Sequence, residues 1–170
     1  MVEVAFHGRV LHKFVETLSS EIGHESFSAV LSKAGLPEEW AHPAHFVALD
    51  DVRTAQAYAR LQSALRTYYG RGARGILFRI GAKLWEPLLD DSALGIKTQA
   101  AFIRGIPKSL RRKPALELLA RILSISTGEI TVHSLDLDLL LVDRASPTTL
   151  DQSDDTPICF VTHGLIRECL

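Results

Sequence analysis

The sequence predicts an α+β fold (α/β in the broad sense), with N-terminal helices packed on a small antiparallel sheet. Two observations carry this expectation. Apolar residues recur with a 3.6-residue period through most of the first 125 positions, and the period then falls to two between Ile130 and Leu141. Helices followed by strands, rather than alternating with them, fit an α+β layout better than a doubly wound sheet.

Val10, Leu11, Phe14, Val15, Leu18 and Ile22 lie at helical spacing, and Gly23 supplies a stop. Ser26 is placed to cap a second helix bearing Phe27, Val30 and Leu31, ended by Gly35. Positions 36–49, with Pro37 and Pro43, read as a loop. Asp50 or Asp51 starts a long helix with Val52, Ala55, Tyr58, Ala59, Leu61, Leu65 and Tyr68 on its apolar face, and Gly70 to Gly75 breaks it. A helix carrying Ile76, Leu77, Ile80, Leu84, Trp85 and Leu88 follows. Another runs from about Pro114 to Ile125, with Pro114 near its first turn.

Ile130 and Val132 alternate with polar neighbours, as do Leu135, Leu137, Leu139 and Leu141 around Asp136 and Asp138. Two strands result, with a hairpin turn expected near His133 and Ser134. A polar loop, 145–155, leads to a last helix. Thr156 is its expected cap, Pro157 its first residue, and Ile158, Val161, Leu165 and Cys169 its stripe. Two strands alone make a marginal sheet. Either further strands lie among the segments read as helical, or the natural chain continues past Leu170.

A chain of 170 residues suits a single domain, 1–170, able to bury a core without disulfides or metals. No apolar run reaches the length of a membrane span, and residues 1–10 do not read as a secretory signal. Cys159 and Cys169 are too few for a disulfide framework, so a cytoplasmic setting is expected. Charge is uneven. Arg53 to Arg121 holds fourteen Lys or Arg against four Asp or Glu, while the rest of the chain holds five against sixteen. Such asymmetry attracts an anionic ligand, or it marks two solvated faces of opposite sign. The basic residues alternate with apolar core positions and accompany no nucleic-acid motif, so no nucleic-acid partner is expected.

Gly70-Arg71-Gly72-Ala73-Arg74-Gly75 matches G-x-G-x-x-G, but a helical stretch precedes it where a dinucleotide fold needs a strand. It reads as a glycine-rich helix junction. A helix start there offers free N–H groups to an anion, with Arg71, Arg74 and Arg79 beside it. Cys159 and His163, one helical turn apart, lack an orienting third group for nucleophilic chemistry, and two convergent ligands do not make a zinc site. His7, His12, His42 and His45 read as structural or solvated. Asp136 and Asp138 read as the polar side of a strand. No motif implies a cofactor, a metal or a catalytic residue.

The order of these features resembles the 4-vinyl reductase domain family over nearly the whole chain. The resemblance rests on the opening helix Phe6–Ile22, on Phe27-Ser28-Ala29-Val30-Leu31-Ser32-Lys33-Ala34-Gly35-Leu36, and most specifically on 68–81, Tyr-Tyr-Gly-Arg-Gly-Ala-Arg-Gly-Ile-Leu-Phe-Arg-Ile-Gly. Asp155-Thr156-Pro157-Ile158-Cys159, followed by Gly164-Leu165-Ile166, adds to it. The resemblance implies a fold related to heme nitric-oxide sensor domains and vesicle-tethering TRAPP subunits. It implies a sensory role binding a small hydrophobic, amphipathic or tetrapyrrole-like molecule. The alternatives are an enzyme or enzyme subunit in bacteriochlorophyll vinyl reduction, and a dimerising scaffold without ligand. A homodimer is expected in any case. Ser146-Pro147-Thr148-Thr149 stands where related sequences often carry Cys-Pro-x-Cys, which argues against a thiolate metal site. Phe78, Trp85, Phe102 and Ile103 are the candidates for facing an enclosed apolar pocket between helices and sheet, with Arg71, Arg74 and Arg79 at its anionic end.

Overall fold

The computed structural model describes residues 4–152 and 155–170. Within them lie seven α-helices and one two-stranded antiparallel sheet, the α+β class that the sequence predicts. The segments read as helices are helices, and no third strand occurs among the described residues. Nor is any helix among them long and apolar enough to cross a membrane.

Helix α1 (Gly8–Ile22) buries Val10, Leu11, Phe14, Val15 and Leu18 along one stripe. Gly23, at φ 80°, ends it and turns the chain in a single residue. The next helix, α2 (His24–Lys33), therefore starts earlier than a Ser26 cap would place it. Gly23 occupies the cap position, and its carbonyl accepts from the Phe27 N–H at 3.0 Å. Gly35, at φ 64°, closes α2 with the paired bonds of a Schellman ending, Leu36 N–H to Leu31 O at 3.1 Å and Gly35 N–H to Ser32 O at 3.0 Å.

The segment read as a loop forms two short 3-10 turns, Glu38–Ala41 and Pro43–Ala48. They deliver Phe46 into the core against α1, edge-on to Trp40 with ring centroids 5.3 Å apart. Of the two candidate caps for α3 (Asp51–Tyr69), Asp50 does the capping: its carboxylate accepts from the Arg53 N–H at 2.8 Å. A 3-10 turn, Gly70–Gly72, follows, and α4 (Ala73–Asp90) begins at once, so Gly75 lies inside α4 rather than in a break.

Two helices follow. The first, α5 (Leu94–Gly105), has no stripe in the sequence reading. The second, α6 (Lys108–Leu123), begins six residues ahead of Pro114. Pro114 has no N–H to offer the Leu110 carbonyl, but Leu110 is 68% exposed and water can serve that carbonyl instead.

Strands β1 (Ile130–Leu135) and β2 (Asp138–Asp143) pair from Ile130↔Asp143 to Leu135↔Asp138. The hairpin therefore turns at Asp136 and Leu137, with Asp136 at φ 51°, and not at His133 and Ser134, which pair with Leu140 and Leu139. The final helix, α7 (Phe160–Cys169), takes Cys159 as its cap residue, leaving Thr156 and Pro157 outside it.

The centre of the fold is the crossing of α4 and α7. A β-carbon on Gly81 would stand 2.1 Å from the Val161 carbonyl oxygen, and one on Gly164 would stand 2.2 Å from the Phe78 carbonyl oxygen. The two backbones touch there, and only glycine permits it. This crossing fixes the start of α7 beside the start of α4.

Candidate functional site

The largest hollow among those described is a groove of about 1110 Å³ at that shared end. One wall is the turn into α4, with Gly70, Arg71, Ala73 and Arg74. The facing wall is the start of α7, with Pro157, Cys159, Phe160, His163 and Ile166. Leu141 and Asp143 of β2, with Ser146 and Thr149 beyond it, close the remaining side.

Two helix starts thus meet the same groove, and neither carries a side-chain cap. Their dipoles favour negative charge, although the first N–H of each already donates to backbone, Ala73 to the Gly70 carbonyl and Phe160 to the Ile158 carbonyl at 2.8 Å. The Arg74 guanidinium lies over the Phe160 ring, 5.7 Å from its centroid, so the cation sits at the edge of an apolar lining. Leu141, Phe160 and Ile166 supply much of that lining. Asp143 is the opposing charge. Burial pushes its carboxyl above the usual aspartate range, although the Ala145 N–H donates to it at 3.2 Å.

Burial also raises the Cys159 thiol, and the Asp143 charge adds to the effect. A thiol held protonated is a poor nucleophile and a poor metal ligand. The His163 ring packs edge-on against Phe78 at 5.2 Å, and its contact with Cys159 is the backbone bond from His163 N–H to Cys159 O at 3.0 Å. The arrangement does not position His163 as a base for the thiol. Among the described residues, no group of three or more His, Cys, Asp or Glu is disposed to hold a metal ion.

The residues singled out from the sequence separate in space. Arg71 and Arg74 line the groove. Arg79 does not; its Nε donates to Glu21 Oε1 at 2.6 Å, and Lys83 holds the other oxygen of the same carboxylate at 2.6 Å. Phe78 faces α7, between His163 and the Arg167 guanidinium, which lies 5.4 Å from its ring centroid. Trp85 and Ile103 are buried and line a separate cleft of about 160 Å³ between α4, α5, α6 and the end of α7. Phe102 is 72% exposed on the outer side of α5 and lines none of these hollows.

The enclosed apolar pocket expected between helices and sheet is not present among the described residues at ligand size. In its place is a void of about 30 Å³ against Phe6, Tyr58, Leu84 and Val161, room for about one water. Tyr58 rests against Phe6 and Phe14, with centroids 4.5 and 4.9 Å away, and fills the space. Its hydroxyl meets Thr148 and Gln62, and burial drives its pKa far up, so it stays neutral. Gln62 Nε2 donates to Thr148 Oγ1 at 3.3 Å.

The ligand-sized space is the open groove. Of its apolar residues, Leu141 carried no signal beyond the ordinary strand alternation, and Phe160 lies outside the stripe read for the last helix. Asp143 ends β2, two residues past the alternation read from Ile130 to Leu141, and carried no signal of its own.

Comparison with family models, with curated proteins and with solved structures finds no match for this chain.

Proposed function

We propose that the chain is a sensory-type domain that binds a small amphipathic molecule in the groove between the starts of α4 and α7. The apolar body lies along Leu141, Phe160 and Ile166, and a carboxylate or phosphate end points to Arg71 and Arg74. The observation that carries this reading is that two helix starts without side-chain caps, one of them bearing Arg71 and Arg74, face each other across an apolar-lined hollow. The motif order that resembles 4-vinyl reductase domains supports the same ligand class. The free thiols Cys159 and Cys169 support a cytoplasmic setting.

The test is a fluorescence titration with anilinonaphthalene sulfonate, an amphipathic anion, alongside native mass spectrometry of freshly purified protein for a retained ligand. Arg74→Ala is expected to weaken probe binding roughly tenfold, the scale of one charge-assisted hydrogen bond. Thermal stability should hardly change, because Arg74 is exposed. Equal probe affinity in wild type, Arg71→Ala and Arg74→Ala would overturn the anion end of the reading.

A further inference from the structure

A two-stranded sheet has two open edges, where backbone N–H and C=O groups stand ready for another strand. In the β1–β2 hairpin the direction of each group is fixed. The Arg144 N–H donates to the Glu129 carbonyl at 3.1 Å, one step beyond the pair Ile130↔Asp143. Bonded and unbonded pairs alternate in an antiparallel ladder. Thr131↔Val142, His133↔Leu140 and Leu135↔Asp138 are therefore the bonded pairs, and the N–H and C=O of Leu139, Leu141 and Asp143 point away from β1. Among the described residues, no backbone bond from outside the hairpin reaches these three.

The groove lies off this edge. Residues directly opposite each other share a sheet face, so Leu141 and Asp143 share theirs with Val132 and Ile130. Of these four, only Leu141 and Asp143 line the groove, while Ile130 and Val132 line a different hollow against α6. The groove thus sits beyond β2 rather than over the sheet. Its wall offers outward backbone groups at the two-residue strand repeat of about 6.8 Å. Arg66, Arg71 and Arg74 also line it, against the single carboxylate of Asp143, whose burial disfavours its charge.

From this placement we infer that the groove takes an extended acidic peptide segment, added to the outer edge of β2 as a third strand, with its apolar side chains against Phe160 and Ile166 and its carboxylates toward Arg71 and Arg74. The inference rests on the groove being a ligand site and names the class of ligand. A peptide backbone matches the donors and acceptors of a strand edge at their own repeat, which a lipid chain or a rigid anion does not. The excess of arginine selects an acidic segment over a basic one.

The experiment is isothermal titration calorimetry with the heptapeptide Val-Ser-Val-Ser-Glu-Ser-Glu, acetylated and amidated at its ends, and with its reversed sequence, because a strand adds in either direction. Each places Val and Glu on one face and Ser on the other. At least one should bind, and Arg74→Ala should weaken it roughly tenfold. N-methylation of one alternate set of peptide residues should weaken binding by at least about tenfold and methylation of the other set should not, because only every second N–H faces β2. In amide exchange followed by NMR, the bound peptide should slow Leu139, Leu141 and Asp143 specifically. Failure of both peptides, equal effects of the two methylated sets, or no slowing at these three amides would overturn the inference. If both peptides fail while anilinonaphthalene sulfonate still binds with its Arg74 dependence, the groove stands as a ligand site and the strand addition alone falls. Protection of the three amides already present in the free protein and lost on dilution would also overturn it, assigning the edge to a second copy of the chain.

Discussion

Arg74 and Arg79 lie five positions apart on α4, about 140° around the helix axis, so one faces the groove and the other faces α1. That separation is legible in the sequence once the helix is known to begin at Ala73. The partner was not legible, because Glu21 is 58 positions away. Its carboxylate is 11% exposed and is held by Arg79 and Lys83. Hydrogen bonds from Lys83 and then Arg79 hold its pKa below the ordinary 4.5. A carboxyl with a depressed folded-state pKa contributes stability above the unfolded-state value and loses it as the pH falls through the folded one. The contribution is therefore complete at neutral pH and fades in acid below about 4.5. Glu21→Gln should lower the neutral-pH midpoint in urea and flatten the acid limb of the stability curve. Parallel curves for wild type and variant across that range would show that the triad is only a surface contact. Arg79→Ala should reproduce part of this effect without touching probe binding in the groove, which separates it from Arg74→Ala.

At the scale of elements, the sequence read most helices through their buried stripes and failed where another constraint ruled. It read Gly70–Gly75 as the glycine-rich helix junction, whereas the close backbone contact lies at Gly81 and Gly164, two glycines on separate helices whose meeting no local pattern announces. A methyl group at either position points into backbone, which cannot swing aside as a flexible side chain can. Gly164→Ala is expected to cost about 1–3 kcal/mol, the range for overpacking a filled interior, measured by urea denaturation. A loss below the error of the fit would mean that α7 rides freely on α4. The hairpin was legible as a hairpin, but the run Leu135-Asp136-Leu137-Asp138 continues the alternation straight through its own turn and hides it. Leu137, 92% exposed at the tip, has no face to choose. Helix α5 escaped notice because Leu94 and Phe102 break its stripe.

For the molecule as a whole, the sequence identified which residues are apolar but not how their volumes would fit together, so an enclosed pocket was expected where Tyr58 and its neighbours leave room for about one water. The space large enough for a ligand lies instead where the well-packed helices meet the least supported element. Helices α1, α4 and α7 share the main core, with Phe14, Leu77, Ile80 and Leu165 almost fully buried. The hairpin is held by its own ladder and by packing against α6 near β1, without a third strand among the described residues. Two-stranded sheets are marginal in water, and poorly covered elements open at a fraction of the global unfolding free energy. Amide hydrogen exchange should therefore be graded. The paired amides of residues 130–143 should exchange at least about a hundredfold faster than those in the middle of α4, an opening free energy lower by about 3 kcal/mol. Occupying the groove changes only part of this pattern. With anilinonaphthalene sulfonate bound, protection should rise for Leu141–Asp143 and for the first turn of α7, because both line the groove. Exchange in α2 and at the Asp136–Leu137 turn should stay as it was. Uniform slowing throughout the chain would mean that the probe merely stabilises the folded state globally. No slowing at β2 would place the probe elsewhere and remove the groove from the argument.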